Sequence, residues 1–169
     1  MGWAGFLELL AKGKFNIRLL ARESKKNRKK LSAYASDPRV TIIWGDLTRY
    51  EDVLRGVEGA DYVLHVGGMV SPAADYYPEK TLKVNVGSAE NVVKAVLAQP
   101  NASEMKVVYI GSVAQYGDRN PPHHWGCASE PQVPAKFDMY ALSKICAEQV
   151  FASAGLKYFV SLRQSGILY

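Results

Sequence analysis

Cysteine is scarce in this sequence: Cys127 and Cys146 are the two among 169 residues. Two cannot staple a disulfide scaffold, so a reducing compartment, the cytoplasm, is the expected setting. Long apolar runs are also missing. The longest early stretch, residues 6–11, is broken by Glu8 and falls far short of the about 20 residues that a membrane span needs. It is too short and wrongly flanked for a signal peptide. Met1-Gly2 opens like a myristoylation site, but position 6 is Phe rather than Ser or Thr. Histidine numbers three. His123, His124 and Cys127 share one loop without a further ligand cluster, so no metal centre is expected. His65, inside an apolar run, reads as a core residue. Internal repeats, low-complexity tracts and domain linkers are absent too.

What is present is ordinary globular material. Apolar residues make up 48% and charged residues 22%, as in soluble domains generally. The length suits one domain, 1–169, able to bury roughly 70% of its unfolded surface. The net charge of +5 arises in one place: residues 22–30, RESKKNRKK, hold six basic side chains and one acid. The remainder balances. A nucleic-acid footprint would spread positive charge over a face, so this run reads as a local patch, mostly a solvated helix surface.

The apolar pattern alternates between two periods. Helical spacing is seen at Trp3, Phe6, Leu7, Leu9 and Leu10, and again over 25–35, 50–57, 78–98 and 137–154. Short β-branched or aromatic runs stand at 16–21, 40–44, 62–66, 107–110 and 158–162. Residues 113–135 read as a loop rich in Pro and Gly. Strands alternating with amphipathic helices imply right-handed crossovers and an α/β fold with a doubly wound parallel sheet, Rossmann-like. Such a sheet normally opens on a strand, and here the chain opens on a helix. The first strand is therefore expected to be missing, which would leave two unpaired edges in the middle of the sheet.

Four short motifs carry chemistry. Gly2-Trp3-Ala4-Gly5 opens the first helix, where a backbone without side chains can approach a pyrophosphate on the helix N-terminus; plain helix–sheet packing would use the same glycines. Tyr140 and Lys144 are one helical turn apart on one face, and an ammonium beside a phenol favours the phenolate, as a general acid/base requires. Ser112 follows a strand, at the end where open α/β sheets bind ligands, and can hydrogen-bond a substrate oxygen; it would equally serve as a cap. Asp46, after Trp44-Gly45, can accept from an adenine amino group or simply hold a turn.

Taken in order, these motifs resemble those of the extended short-chain dehydrogenase/reductases, the NAD(P)-dependent epimerase/dehydratase group. The residues that carry the resemblance are Gly2-Trp-Ala-Gly5, Leu20-Ala-Arg22, Trp44-Gly-Asp-Leu47, Val63-Leu-His-Val66, Asn85-Val86 with Asn91, Gly111-Ser-Val-Ala-Gln-Tyr-Gly117, Tyr140-Ala-Leu-Ser-Lys144 with Glu148, and Leu162-Arg163. The resemblance implies catalytic Ser112, Tyr140 and Lys144. It implies cofactor contacts from Gly2, Trp3, Ala4, Gly5, Arg22, Asp46, Leu47, Val66, Gly67, Gly68, Asn85, Tyr140 and Lys144. The implied reaction is hydride transfer at a hydroxyl or carbonyl carbon of a small-molecule substrate, as in an oxidoreductase or a sugar-nucleotide epimerase. Arg22, followed by Ser24, Lys25 and Lys26, stands where NAD-preferring members carry an acid, so NADP is favoured over NAD.

The sequence also departs from the pattern. The first glycine of the family loop and the C-terminal substrate domain are not in it, so a fragment truncated at both ends is expected. Gly67-Gly68 replace the usual small Ala residues, and Ser88-Ala89 the usual Gly-Thr. Val113 and Ala114 stand where sugar 4,6-dehydratases carry an Asp-Glu pair, which disfavours elimination. The alternatives are an NADPH-dependent reductase of small carbonyl or steroid-like substrates, and a non-catalytic dinucleotide-binding remnant. A homodimer through helices 78–98 and 137–154 is a further implication of the resemblance.

Overall fold

The β-branched run Val40–Trp44 and the run Ile17–Ala21 form two parallel strands, β2 and β1, paired in register from Ile17 opposite Val40 to Ala21 opposite Trp44. Three further strands, β3 (Tyr62–His65), β4 (Lys106–Ser112) and β5 (Tyr158–Gln164), pair in parallel in the order β3-β4-β5. The computed structural model describes residues 1–122 and 126–166. Among them the helices are α1 (Gly2–Ala11), α2 (Lys25–Leu31), α3 (Tyr50–Val57), α4 (Ala73–Tyr76), α5 (Pro78–Leu97) and α6 (Met139–Ala152). All strand pairs are parallel and all are separated by helices, so the doubly wound expectation holds in its connectivity.

The expected single sheet is instead two, because β1 and β3 are not hydrogen-bonded to each other. The division falls where the sequence predicts the unpaired edges. Packing spans it. Leu20 of β1 lies against the main core of Val53, Val57, Val92, Val96, Met105, Val107, Tyr109 and Phe151. Gly56 of α3 faces it closely: a Cβ there would be in ordinary contact, 3.6 Å from the Leu20 Cβ. A smaller cluster of Phe6, Ile17 and Val40, with Trp3 and Tyr34 packed on it, fixes α1 to the β1–β2 sheet. Trp3, Phe6 and Tyr34 meet edge-on or tilted at 5.0–5.6 Å between ring centroids, the arrangement aromatic quadrupoles prefer.

The two faces of the β3–β4–β5 sheet differ. Val107 and Tyr109 point into the core and are each 1% exposed, beneath α5 and α6. On the opposite face Tyr62, Leu64, Tyr158, Val160 and Leu162 are all exposed. Parallel sheets ordinarily have both faces covered.

The basic run forms α2, capped by Ser24, whose Oγ accepts from the Asn27 N–H at 3.0 Å. Its charges are partly engaged. Arg28 pairs with Glu23 and lies over the Trp44 ring, and the Lys30 ammonium sits 3.8 Å from the Trp3 ring centroid. No helix among the described residues is long and apolar enough to cross a membrane. His123 and His124 lie outside the described residues, and among the described ones no group of three or more metal-ligating side chains gathers.

Candidate functional site

The C-terminal ends of β1, β2, β3 and β4 bring most of the singled-out residues to one side of the molecule. Gly2, at the start of α1, faces Val66 just after β3; a Cβ on Gly2 would stand 3.8 Å from Val66 Cγ1. The next two residues approach their neighbours more closely still. A Cβ on Gly67 would collide with Leu47 Cδ1, and one on Gly68 would come within 2.9 Å of Asn85 Oδ1 and 3.8 Å of Lys144 Nζ. At Gly68 the hydrogen-bonded Asn85 amide occupies the room a side chain would need, while at Gly67 it is the end of the flexible Leu47 side chain, so alanine is excluded more firmly at 68 than at 67.

Asn85 is the clamp of this loop. It is 3% exposed. Its Oδ1 accepts from the Met69 N–H at 2.6 Å, while its Nδ2 donates to the Met69 carbonyl at 3.0 Å and to Ser143 Oγ at 2.8 Å. Its polar atoms thus tie the loop after β3 to α6. Asn91, one and a half turns on, donates to the Leu47 carbonyl at 2.9 Å and holds the segment after β2 in the same way. Ser88 turns into the core, where its Oγ is 3.2 Å from His65 Nε2 and donates to the Asn85 carbonyl at 3.3 Å. Burial, and then the Lys144 charge, push the His65 imidazole down to about 4, so it is neutral at physiological pH.

Lys144 is 5% exposed. Its Nζ donates to the Ile110 carbonyl at 2.8 Å and lies over the Tyr109 ring. Burial pushes its pKa down to about 8, because the charged form loses solvation. Tyr140 stands one turn earlier on α6, half-buried, with its ring centroid 5.9 Å from Lys144 Nζ. The start of α6 is held twice. Asp138 accepts from the Ala141 N–H at 2.7 Å, and Asp75 of α4 accepts from the Met139 N–H at 3.0 Å. No pattern in the sequence signals α4 or the role of Asp75, because a four-residue helix has no periodicity to read.

Ser112 ends β4, two residues beyond the carbonyl that Lys144 grips. Its Oγ accepts from the Ala114 N–H at 3.2 Å and starts the 3₁₀ turn Val113–Tyr116. The cap reading of Ser112 is therefore realised, and its hydroxyl proton remains available to an acceptor.

Asp46 also acts in a turn. Its Oδ1 accepts from the N–H and the hydroxyl of Thr48, both at 2.8 Å, and these bonds hold its carboxylate below the ordinary range. Its own N–H donates to Asp52 Oδ2 at 2.9 Å. Asp46 and Arg22 line a cleft of about 430 Å³ together with Glu23, Trp44, Gly45, Arg49, Asp52 and Arg55. Arg55 lies in α3 and Arg49 is the residue just before it, and no motif signals either. Three arginines and the three carboxylates of Glu23, Asp46 and Asp52 line this cleft, and Arg49 and Arg55 both pair with Asp52. Trp3 and Ala4 do not share that cleft; Trp3 turns toward Phe6 and Tyr34.

Similarity to known proteins agrees with this geometry. The model of the NAD dependent epimerase/dehydratase family matches residues 4–166. A UDP-glucose 4-epimerase of Rickettsia canadensis is 32% identical over 82 residues, 48% of this chain and 24% of that protein. The 3 beta-hydroxysteroid dehydrogenase type 7 of Mus musculus is 29% identical over 122 residues, 71% of this chain and 32% of that protein. The solved structure of the UDP-Glc/GlcNAc 4-epimerase from Campylobacter jejuni superposes with a TM-score of 0.77 at 20% identity, covering 93% of this chain and 48% of that one. The chain thus spans a quarter to a half of the proteins it matches, and it does so over their shared parallel α/β fold. With a family model matching nearly its whole length, the chain belongs to the NAD dependent epimerase/dehydratase family.

Proposed function

We propose that the chain carries the dinucleotide site and the proton-transfer residues of an NAD(P)-dependent oxidoreductase or sugar-nucleotide epimerase. The observation that carries this reading is the convergence of Lys144 Nζ, Gly68 and Asn85 at the end of the strand that bears Ser112. Gly2 and Gly5 would let a pyrophosphate approach α1. Asp46 and Leu47 would border the adenine. Val66, Gly67 and Gly68 would line the middle of the dinucleotide, and Lys144 would hold the nicotinamide ribose. Bound there, the dinucleotide supplies a hydride acceptor or donor. Ser112 would donate its hydroxyl proton to the substrate oxygen, and Tyr140 would exchange the proton of that same oxygen. The Lys144 ammonium would set its charge against Tyr140, one turn earlier on the same helix, with Nζ 5.9 Å from the ring centroid. Arg22, just after β1 and lining the cleft, supports NADP over NAD, since a 2′-phosphate would meet its guanidinium there.

One observation favours the alternative of a reductase acting on apolar carbonyl or steroid-like substrates. Phe137 is 94% exposed with a left-handed φ of 62°, and Tyr76 and Tyr77 are exposed beside the Asp75 that grips the same helix start. Phe137 lies three residues before Tyr140 in the chain, and Asp75 ties the segment that carries Tyr76 and Tyr77 to the same helix start. The expected dimer through α5 and α6 rests on the resemblance, and light scattering of the purified protein tests it.

The decisive experiment is run with NAD and with NADP. UDP-glucose is offered and formation of its 4-epimer followed by chromatography, since epimerisation returns the hydride and leaves no net reduced dinucleotide. A 3β-hydroxysteroid is offered and reduced-dinucleotide absorbance followed. Turnover with one of them that falls by about 10²- to 10⁴-fold in Tyr140→Phe, with dinucleotide affinity retained, is the expected result. Unchanged turnover in Tyr140→Phe overturns the mechanism. Dinucleotide binding with no turnover in either assay points to the non-catalytic remnant.

A further inference from the structure

The Ser112 turn is built on a buried polar chain that leads away from the dinucleotide face. Gln115 is fully buried, and its Oε1 accepts from the Ser112 N–H at 2.7 Å. Its Nε2 donates to Glu148 Oε2 at 2.9 Å. Glu148, on α6 one turn beyond Lys144, is 4% exposed. Its carboxylate also accepts from Ser161 Oγ at 2.6 Å, from Gln132 Nε2 at 2.9 Å and from Arg163, whose Nε reaches both oxygens at 3.1 Å and whose Nη2 makes a further close contact.

The chemistry of these groups gives the chain a direction. An amide side chain can present either its oxygen or its nitrogen, and the two orientations have nearly the same shape. An ionised carboxylate only accepts. With Glu148 on one side, the Gln115 nitrogen must face it, and the Gln115 oxygen is then left pointing at the Ser112 N–H. Glu148 cannot turn to release it, because about four lone-pair sites on a carboxylate are already met by Ser161, Gln132, Arg163 and Gln115. Gly111 completes the arrangement. A Cβ there would stand 2.7 Å from Gln115 Oε1 and 3.0 Å from both Arg163 Cγ and Ser161 Oγ, so the glycine leaves the space through which the amide reaches Ser112.

We infer that Glu148 is a positioning residue: acting through Gln115, it fixes the backbone, and hence the hydroxyl direction, of Ser112. The inference rests on the reading of Ser112 as the group that holds the substrate oxygen. It extends that reading to a carboxylate that touches neither substrate nor dinucleotide. The same carboxylate reaches the loop before α6 through Gln132, and through Arg163, which also donates to the Ala128 carbonyl at 2.7 Å.

The test uses Glu148→Gln and Gln115→Met, each alone and combined with Ser112→Ala. Two readouts are taken: amide hydrogen exchange at Ser112, and turnover with UDP-glucose or the 3β-hydroxysteroid. In both single variants the Ser112 amide is expected to exchange about tenfold faster, while the amides of 107–109 keep their protection. Turnover is expected to fall about 10- to 100-fold, the equivalent of one hydrogen bond to a charged group, with the dinucleotide KM unchanged. In the Ser112→Ala background neither variant should cost more than about twofold, because there is no hydroxyl left to aim. Wild-type exchange at Ser112 in Glu148→Gln overturns the inference. So does a full turnover loss that persists on top of Ser112→Ala, which marks general damage to the fold. Wild-type turnover in Ser112→Ala alone refutes the functional reading instead, while the exchange data still judge the Glu148–Gln115–Ser112 linkage.

Discussion

Replacing Gly45 by alanine should damage both the stability of the chain and the nucleotide cleft. The added Cβ would stand 2.7 Å from Cβ and Cγ of Asp52 and 2.9 Å from its Oδ2. Asp52 is 7% exposed, and it is fastened: Oδ2 accepts from the Asp46 N–H and Oδ1 from Arg55 Nη2 at 2.5 Å. Because its Cβ is among the atoms struck, a rotamer change cannot relieve the clash, and α3 or the β2 end must move. Overpacking of this kind costs about 1–3 kcal/mol. Loss of a hydrogen bond to a carboxylate costs about 1.5–3 kcal/mol. Relief of one is achieved partly at the expense of the other, so a net loss of about 3 kcal/mol is expected rather than the full sum. For a chain of this length that lowers Tm by roughly 6–12 °C. Urea unfolding measures the stability, and fluorescence titration with NADP measures the cleft, where affinity should fall as Asp46 is displaced. A stability change below about 0.5 kcal/mol, the scale of a neutral surface substitution, would show that Asp52 is not held as described.

Gly87 provides the contrast: it lies in α5, and a Cβ added there would meet nothing within 4 Å, so Gly87→Ala should stabilise by about 0.5–1 kcal/mol in the same unfolding assay. Burial raises the pKa of Glu148, but hydrogen bonds from Arg163, Ser161, Gln115 and Gln132 outweigh it and hold the carboxyl at about 2, below its ordinary 4.5. A carboxyl depressed in the folded state contributes stability that is complete above about pH 4.5 and is lost as pH falls toward 2. Glu148→Gln should therefore flatten acid unfolding by up to about 1.4 kcal/mol per pH unit in that window; an unchanged acid slope would count against the network. Arg22→Asp should move preference from NADP toward NAD by at least about tenfold in Kd ratio, a charge-assisted hydrogen bond's worth, and equal weakening of both dinucleotides would refute the 2′-phosphate assignment.

Strands and helices with strong periodicity were legible in the sequence with little error. The runs 40–44 and 50–57 fall on β2 and α3 residue for residue. The errors lie where pairing overrides propensity. Gly111 and Ser112 do not look like strand residues, yet β4 continues through them because Arg163 and Gln164 stand opposite. Likewise the helix expected over 25–35 ends at Leu31 and gives way to a 3₁₀ turn, Ser32–Tyr34, where Tyr34 is drawn onto Trp3 and Phe6. The site shows the same division. The i, i+4 spacing named Tyr140 and Lys144, the end of a strand named Ser112, and the family resemblance named Asn85. The bonds from Asn85 to Ser143 and from Gln115 to Glu148 join positions 58 and 33 residues apart, and no local pattern in a single sequence records such a pairing. Arg49 and Arg55 were missed for that reason as well: just before α3 and within it, they look like solvated charges until the end of β2 brings the cleft beside them.

The uncovered face of the β3–β4–β5 sheet has a thermal consequence. Heat capacity rises on unfolding chiefly because apolar side chains become hydrated. Tyr62, Leu64, Tyr158, Val160 and Leu162 are already 41–53% exposed in the folded chain, so much of their hydration is present before unfolding begins. Calorimetry should give a heat capacity increment below the usual roughly 12–15 cal/mol/K per residue. The curve of stability against temperature is correspondingly shallow, with less curvature toward the cold.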